Sequence, residues 1–256
     1  VLFSGSRYAS RLPIGDMDII NNSSYNTIKK FYTDWYRPEL MSVIVVGEVD
    51  ANSVKSQIEE LFGKYSNAAN PRVREEYPVP DNDQSMYSIV SDPEATVTTV
   101  QIFYKNNSIS DDSKDGYRTY IKEILGNIMF EERLSELTNQ SDPPYIYGFS
   151  GNDMLVRTKS AFSMGAVSAE DGVLQAYNTL LEENERFMRF GFTKSEFERA
   201  KNNLLSFIES AYREKDKTES VYYAEELLRY FLNGAPAPGI EWEWKEVQSI
   251  ISNLTL

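Results

Sequence analysis

Apolar residues recur at helical spacing in Ile28, Phe31, Tyr32 and Trp35, which stand at i, i+3, i+4 and i+7 and so share one helix face. Ser23 or Ser24 can cap this helix. Pro38 disfavours helical geometry at Arg37 and ends it there. Val43, Ile44, Val45 and Val46 form an unbroken β-branched run, the pattern of a strand buried on both faces. Asp50 then stands as an N-cap before the stripe Val54, Ile58, Leu61 and Phe62.

Residues 63–84 carry Gly63, Asn67, Asn70, Pro71, Pro78, Pro80 and Asp81 with little periodicity and read as a long connection. Strands are expected at Met86–Val90 and Thr96–Tyr104, the second with clean alternation. Asp111 or Ser113 opens a long helix striped by Tyr117, Tyr120, Ile121, Ile124, Leu125, Ile128 and Met129. Two strands follow, near Tyr145–Ser150 and Ala161–Val167, and Val173, Leu174, Tyr177, Leu180 and Leu181 mark another helix. Thr193-Lys194-Ser195-Glu196 is a capping box, and its helix carries Phe197, Ala200, Leu204, Ile208 and Ala211. The charged stretch Arg213–Glu219 exits into solvent before a helical pattern resumes over Val221–Leu232.

Asn233–Gly239 holds two glycines and two prolines and is the clearest break in the chain. Beyond it Trp242, Val247, Ile250 and Ile251 pack as a short final helix. Trp242 and Trp244 cannot face one side of that helix, so one of them is expected to meet another domain, a partner or water. The expected fold is α+β: a two-layer, mostly antiparallel sheet covered on one face by long helices.

Composition narrows the function. A chain of 256 residues with 41% hydrophobic and 13% aromatic residues can bury a substantial core. The net charge of -13 argues against nucleic acid as a partner, since phosphate binding needs a basic face. No apolar run approaches the roughly 20 residues of a membrane span. There is no cysteine, hence no disulfide, and no histidine, hence no imidazole for a metal or a nucleophile-base pair. Val1 is not an initiator Met, which suggests a processed or excised piece of a longer chain.

The run Phe31–Asp50, with Trp35-Tyr36-Arg37-Pro38 at its centre, resembles the insulinase (pitrilysin) family of zinc peptidases. Arg11-Leu12-Pro13-Ile14-Gly15 is similar to a segment that leads into that signature in large bacterial members. Thr193–Asn203, with Glu196, Glu198, Ala200 and Lys201, is similar to an element late in the same domain. The resemblance implies paired α+β domains in each half of a molecule whose halves close around a peptide chamber. It further implies that zinc is held by an inverted His-x-x-Glu-His motif in the first domain of an active half. This chain resembles the second, non-zinc-binding domain. On that basis residues 1–22 are a lead-in from the preceding domain, 23–235 the second domain, and 236–256 the start of a linker or helix to the next.

The resemblance also implies a site to test. In the last domain of active members an arginine, and a tyrosine seven residues later, hold the substrate carbonyl. Thr138 stands here at the arginine position and Tyr145 at the tyrosine position. Without a cationic partner Tyr145 is a poor oxyanion donor and reads as a partly buried strand tyrosine. Asp111-Asp112, Glu131-Glu132 and Glu182-Glu183-Glu185 offer oxygen ligands for hard cations, yet their spacing is that of solvated helix faces. Gly47 before Asp50 is a single glycine and makes no phosphate loop. Tyr222-Tyr223, Tyr230-Phe231 and Trp242-Glu243-Trp244 read mainly as core or interface aromatics.

The expected function is therefore a non-catalytic chamber-wall and scaffold domain of a peptide-degrading zinc metallopeptidase. This chain alone is expected to be inactive and to hold no metal, with zinc in the parent protein supplied by a preceding domain. The alternative is an assembly or scaffolding domain of a family member that has lost peptidase activity. Expected partners are the zinc-binding domain and other half of the same protein, together with peptide substrate. The family's large bacterial members suggest a periplasmic location.

Overall fold

The computed structural model describes residues 1–11, 13–108 and 113–256. In chain order its main elements are α1 (Met17–Asn22), α2 (Tyr25–Trp35), α3 (Ala51–Phe62), β1 (Thr98–Asn107), α4 (Lys114–Leu137), β2 (Tyr147–Val156), β3 (Lys159–Ser168), α5 (Val173–Phe190), α6 (Lys194–Arg213), α7 (Ser220–Asn233) and α8 (Ile240–Asn253). They fall into two compact units. The first comprises residues 1–87 and 219–234, the second residues 88–218 and 235–256.

Local chemistry caps and ends the helices of the first unit as the sequence suggests, but two expected strands do not form. The Ser24 hydroxyl accepts from the Thr27 amide and caps α2; Asp50 accepts from the Ser53 amide at 2.7 Å and caps α3. Pro38 starts a short 3-10 turn, Pro38–Leu40, as its fixed φ allows. Val43–Val46, however, is not a strand. It takes no part in a ladder, and neither does Met86–Val90. A β-branched run favours a strand, but a strand also needs a neighbour to receive its amides and carbonyls, and among the described residues no backbone group bonds to this run. Val79 is the one buried apolar residue among the described residues of this unit.

The second unit holds the rest of the core. Its three strands pair antiparallel in the order β1-β3-β2, with Gly165 opposite both Gln101 and Phe149. β1 begins two residues later than the alternation indicated and runs three residues past its expected end, and β3 extends at both ends. The Ser113 hydroxyl accepts from the Gly116 amide at 3.0 Å and opens α4, while the competing Asp111 lies outside the described residues, as do Asp112 and Leu12. At 24 residues α4 is long enough to serve two cores. Its first half contributes Tyr117, Ile121, Leu125 and Met129 to a helical cluster with Phe197, Leu204, Val247 and Ile251. Its second half sets Phe130 and Leu134 against Met164 and Ala166 of the sheet, joined by Ala176 and Leu180 of α5. The observed class is α+β, with helices packed on a small antiparallel sheet.

Two expectations change near the C-terminus. The final helix is 14 residues long and packs on α6 and α4, burying Val247, Ile250 and Ile251. Both tryptophans find rings inside this unit. Trp242 meets Tyr117 of α4 edge-on at 4.9 Å, and Trp244 stacks on Tyr212 of α6 at 6.0 Å. They leave α8 in different directions, as their spacing requires, because helices lie on both of those sides.

Candidate functional site

Tyr145 precedes β2 and lies in the sheet-side core, only 3% exposed. Its hydroxyl donates to the Leu134 carbonyl at 2.8 Å, near the C-terminal end of α4 where carbonyls lack intrahelical partners. Burial pushes the phenol well above its ordinary range, and the negative charge of Glu183 adds to the shift. Thr138 is the C-cap of α4, and its hydroxyl donates to the Ser135 carbonyl at 2.7 Å. Both hydroxyl protons are thus committed to the end of one helix. Gly148 completes this corner: a Cβ there would lie 2.9 Å from the Tyr145 ring and 3.0 Å from Leu134 Cβ.

The nearby cation is Arg133, which the sequence reading passed over. Its guanidinium donates to both oxygens of Glu196 and to the Gly191 carbonyl, and lies 4.6 Å above the Phe192 ring. The Glu196 carboxyl is held down to about 2, chiefly by the hydrogen bond from Arg133 and further by the Thr193 backbone and hydroxyl. The capping box announced Glu196; nothing local in the sequence announces its partner.

Three of the acidic candidates are likewise engaged with cations. Glu132 accepts from Arg199 and Asn203, Glu183 from Arg186, and Glu185 from Arg189. Among the described residues no three His, Cys, Asp or Glu side chains converge as metal ligands. Hydrolytic zinc is held chiefly by imidazole and thiolate, neither of which the chain possesses, so these residues do not fit that ion.

The signature around Pro38 is a structural clamp within the first unit. Arg37 is buried; its Nη1 donates to Glu39 and its Nη2 to the Arg72 carbonyl at 2.6 Å. Arg72 in turn pairs with Asp34 at 3.1 Å and covers the Trp35 ring at 5.1 Å. That hydrogen bond from Arg72 lowers the Asp34 carboxyl from its ordinary value.

The clearest concavity is an open groove of about 490 Å³ between α4 and α6, lined by Tyr117, Tyr120, Ile124 and Ile128 with Leu204 and Phe207. It is mostly apolar, and Glu243 is the one carboxylate among its lining residues.

Residues 22–204 match the family model described as the peptidase M16 inactive domain. Over 256 residues the chain is 26% identical to a zinc protease PQQL-like protein of Arabidopsis thaliana, covering 100% of this chain and 24% of that relative. It is 23% identical over 238 residues to the probable zinc protease PqqL of Escherichia coli K12, covering 92% of the chain and 25% of the relative. The chain therefore spans about a quarter of the curated relatives it matches. The first half of the periplasmic protease PqqL from Escherichia coli superposes with a TM-score of 0.89 at 20% identity, over 99% of this chain and 54% of that half.

Proposed function

This chain belongs to the peptidase M16 family, and on that premise we propose that it is a non-catalytic wall and scaffold of a peptide-degrading zinc protease. The observation that carries the reading is chemical. A segment matching the inactive domain of a zinc protease family contains neither imidazole nor thiol among 256 residues, so water activation must be supplied by another part of the polypeptide. The commitment of the Tyr145 and Thr138 hydroxyls to helix α4 supports the same division of labour, since neither proton is free for a substrate carbonyl. The net charge of -13 favours basic or extended peptides through long-range attraction, an effect that salt weakens. That the structurally similar Escherichia coli protein is a periplasmic protease supports a periplasmic site of action.

The test is incubation with zinc and a quenched peptide. This chain alone is expected to give no cleavage, and the full-length polypeptide zinc-dependent cleavage that slows for basic peptides as salt rises. Zinc-dependent turnover by the chain alone overturns the reading.

A further inference from the structure

The open groove between α4 and α6 follows from the way α4 is striped. Ile121, Leu125 and Met129 lie about a turn apart and are buried in the helical cluster. Tyr120, Ile124 and Ile128 form a second row beside them, which rises about 12 Å along the helix and lines the groove. Across from it α6 presents Phe207, 70% exposed. Uncovered apolar surface of this kind marks a place where another chain docks, and the channel between the ridges of two packed helices has the shape that a third helix fills. The two ends of the groove differ in charge. At one, Arg199 and Asn203 of α6 already answer Glu132 of α4. At the other stands Glu243 of α8, close enough to Tyr117 that its charge raises a phenol already pushed up by burial. Among the described residues no Lys or Arg lines the groove.

We propose that this groove docks the peptide to be degraded as an amphipathic helix, whose apolar side chains seat against Tyr120, Ile124, Ile128 and Phe207 while a lysine or arginine beyond them reaches Glu243. That the occupant is substrate rests on the function proposed above. That it docks as a helix, on side chains of α4, α6 and α8, comes from the groove itself. Apolar anchors one turn apart are the pattern by which a groove between helices selects a helical partner, whereas an extended chain of the same residues turns alternate side chains away. Charge narrows the occupant further. A second copy of this chain carries the same net charge of -13 and is repelled, while a basic peptide is drawn in. A carboxylate accepts several donors at once, so the incoming cation joins whatever Glu243 already holds.

Two synthetic peptides of about 18 residues test this on the 256-residue chain, equal in leucine and lysine content, one patterned with the helical period and the other strictly alternating. Fluorescence anisotropy at about 0.15 M salt is expected to show the helical peptide bound about 10-fold more tightly than the alternating one. Phe207→Ala, at an exposed position, is expected to weaken that binding about 10-fold, and Glu243→Gln about 5-fold, with melting curves like the wild type. Glu170→Gln, in the turn between β3 and α5, removes the same unit of charge outside the groove and is expected to leave binding unchanged. Equal affinity for the two peptides overturns the proposal, as does a loss with Glu170→Gln equal to that with Glu243→Gln. So does light scattering that shows the chain to be a dimer which Phe207→Ala dissociates. Zinc-dependent cleavage of the helical peptide by the full-length polypeptide separates the two readings. Binding in the groove without cleavage keeps a helix-docking site and sinks the peptidase reading; cleavage with a KM that Phe207→Ala leaves unchanged keeps the peptidase and sinks the docking site.

Discussion

Arg133 on α4 and Glu196 on α6, 63 residues apart in sequence, meet through two hydrogen bonds, Nε to Oε1 at 2.5 Å and Nη2 to Oε2 at 3.0 Å. The same carboxylate accepts from the Thr193 amide and closes the capping box. One side chain thus completes a helix end and docks that end on a neighbouring helix, with both partners largely out of water.

Replacing Glu196 with Ala strands a buried guanidinium and opens the box. The expected loss is about 3 kcal/mol of stability, most of it from the unpaired charge and about 1 kcal/mol from the cap. Urea unfolding followed by circular dichroism reads it; Glu196→Gln, which keeps the cap acceptor, should lose less.

The same pair sets an acid limit. Because Glu196 is depressed to about 2 when folded, against 4.5 ordinarily, the unfolded chain binds its proton first as pH falls. The pair's contribution is complete above about pH 4.5 and disappears as pH drops through about 2. Thermal midpoints of the wild type should fall over that window, and Glu196→Gln should flatten the slope.

Tyr145→Phe removes the donor to Leu134 and leaves a buried carbonyl unsatisfied, with an expected cost of about 1 kcal/mol. Thr138→Arg supplies the cation that the family resemblance leads one to expect at this position, yet it should not confer cleavage on the chain alone. A gain of zinc-dependent activity in a quenched-peptide assay would contradict the assignment of both residues to the helix end.

Gly148→Ala drives a methyl group to 2.9 Å from the Tyr145 ring and 3.0 Å from Leu134 Cβ, both buried in the sheet-side core. Overpacking of this kind is expected to cost about 2 kcal/mol. A melting curve identical to wild type would show the corner to be softer than its contacts indicate.

Truncation after residue 235 removes α8 and uncovers the apolar side chains of α4 and α6 that Val247, Ile250 and Ile251 now bury. The second unit should then bind an apolar dye and lose its cooperative transition. Ile251→Ala, a milder change, should cost about 3 kcal/mol in the same measurement.

Much of this architecture was legible because it is governed by neighbours in sequence. The stripe from Tyr117 to Met129, the cap at Ser113, the box at Thr193–Glu196 and the alternation in β1 are each satisfied within a few residues, and each appears where its pattern lies. The candidate site was legible only in part. Tyr145 and Thr138 could be picked out by resemblance, whereas the destination of the Tyr145 hydroxyl depends on where the end of α4 falls against the sheet.

The chain by itself determined which segments coil and where most helices begin, because periodicity and caps are short-range properties of the polymer. It also determined the donor inventory, with no imidazole and no thiol. Only the tertiary structure decided that Arg133 answers Glu196, that Trp242 and Trp244 find separate rings, and that Val43–Val46 makes no backbone hydrogen bond among the described residues. Those outcomes require distant segments to arrive at one place. A β-branched run can prepare a strand, but only another backbone can complete it.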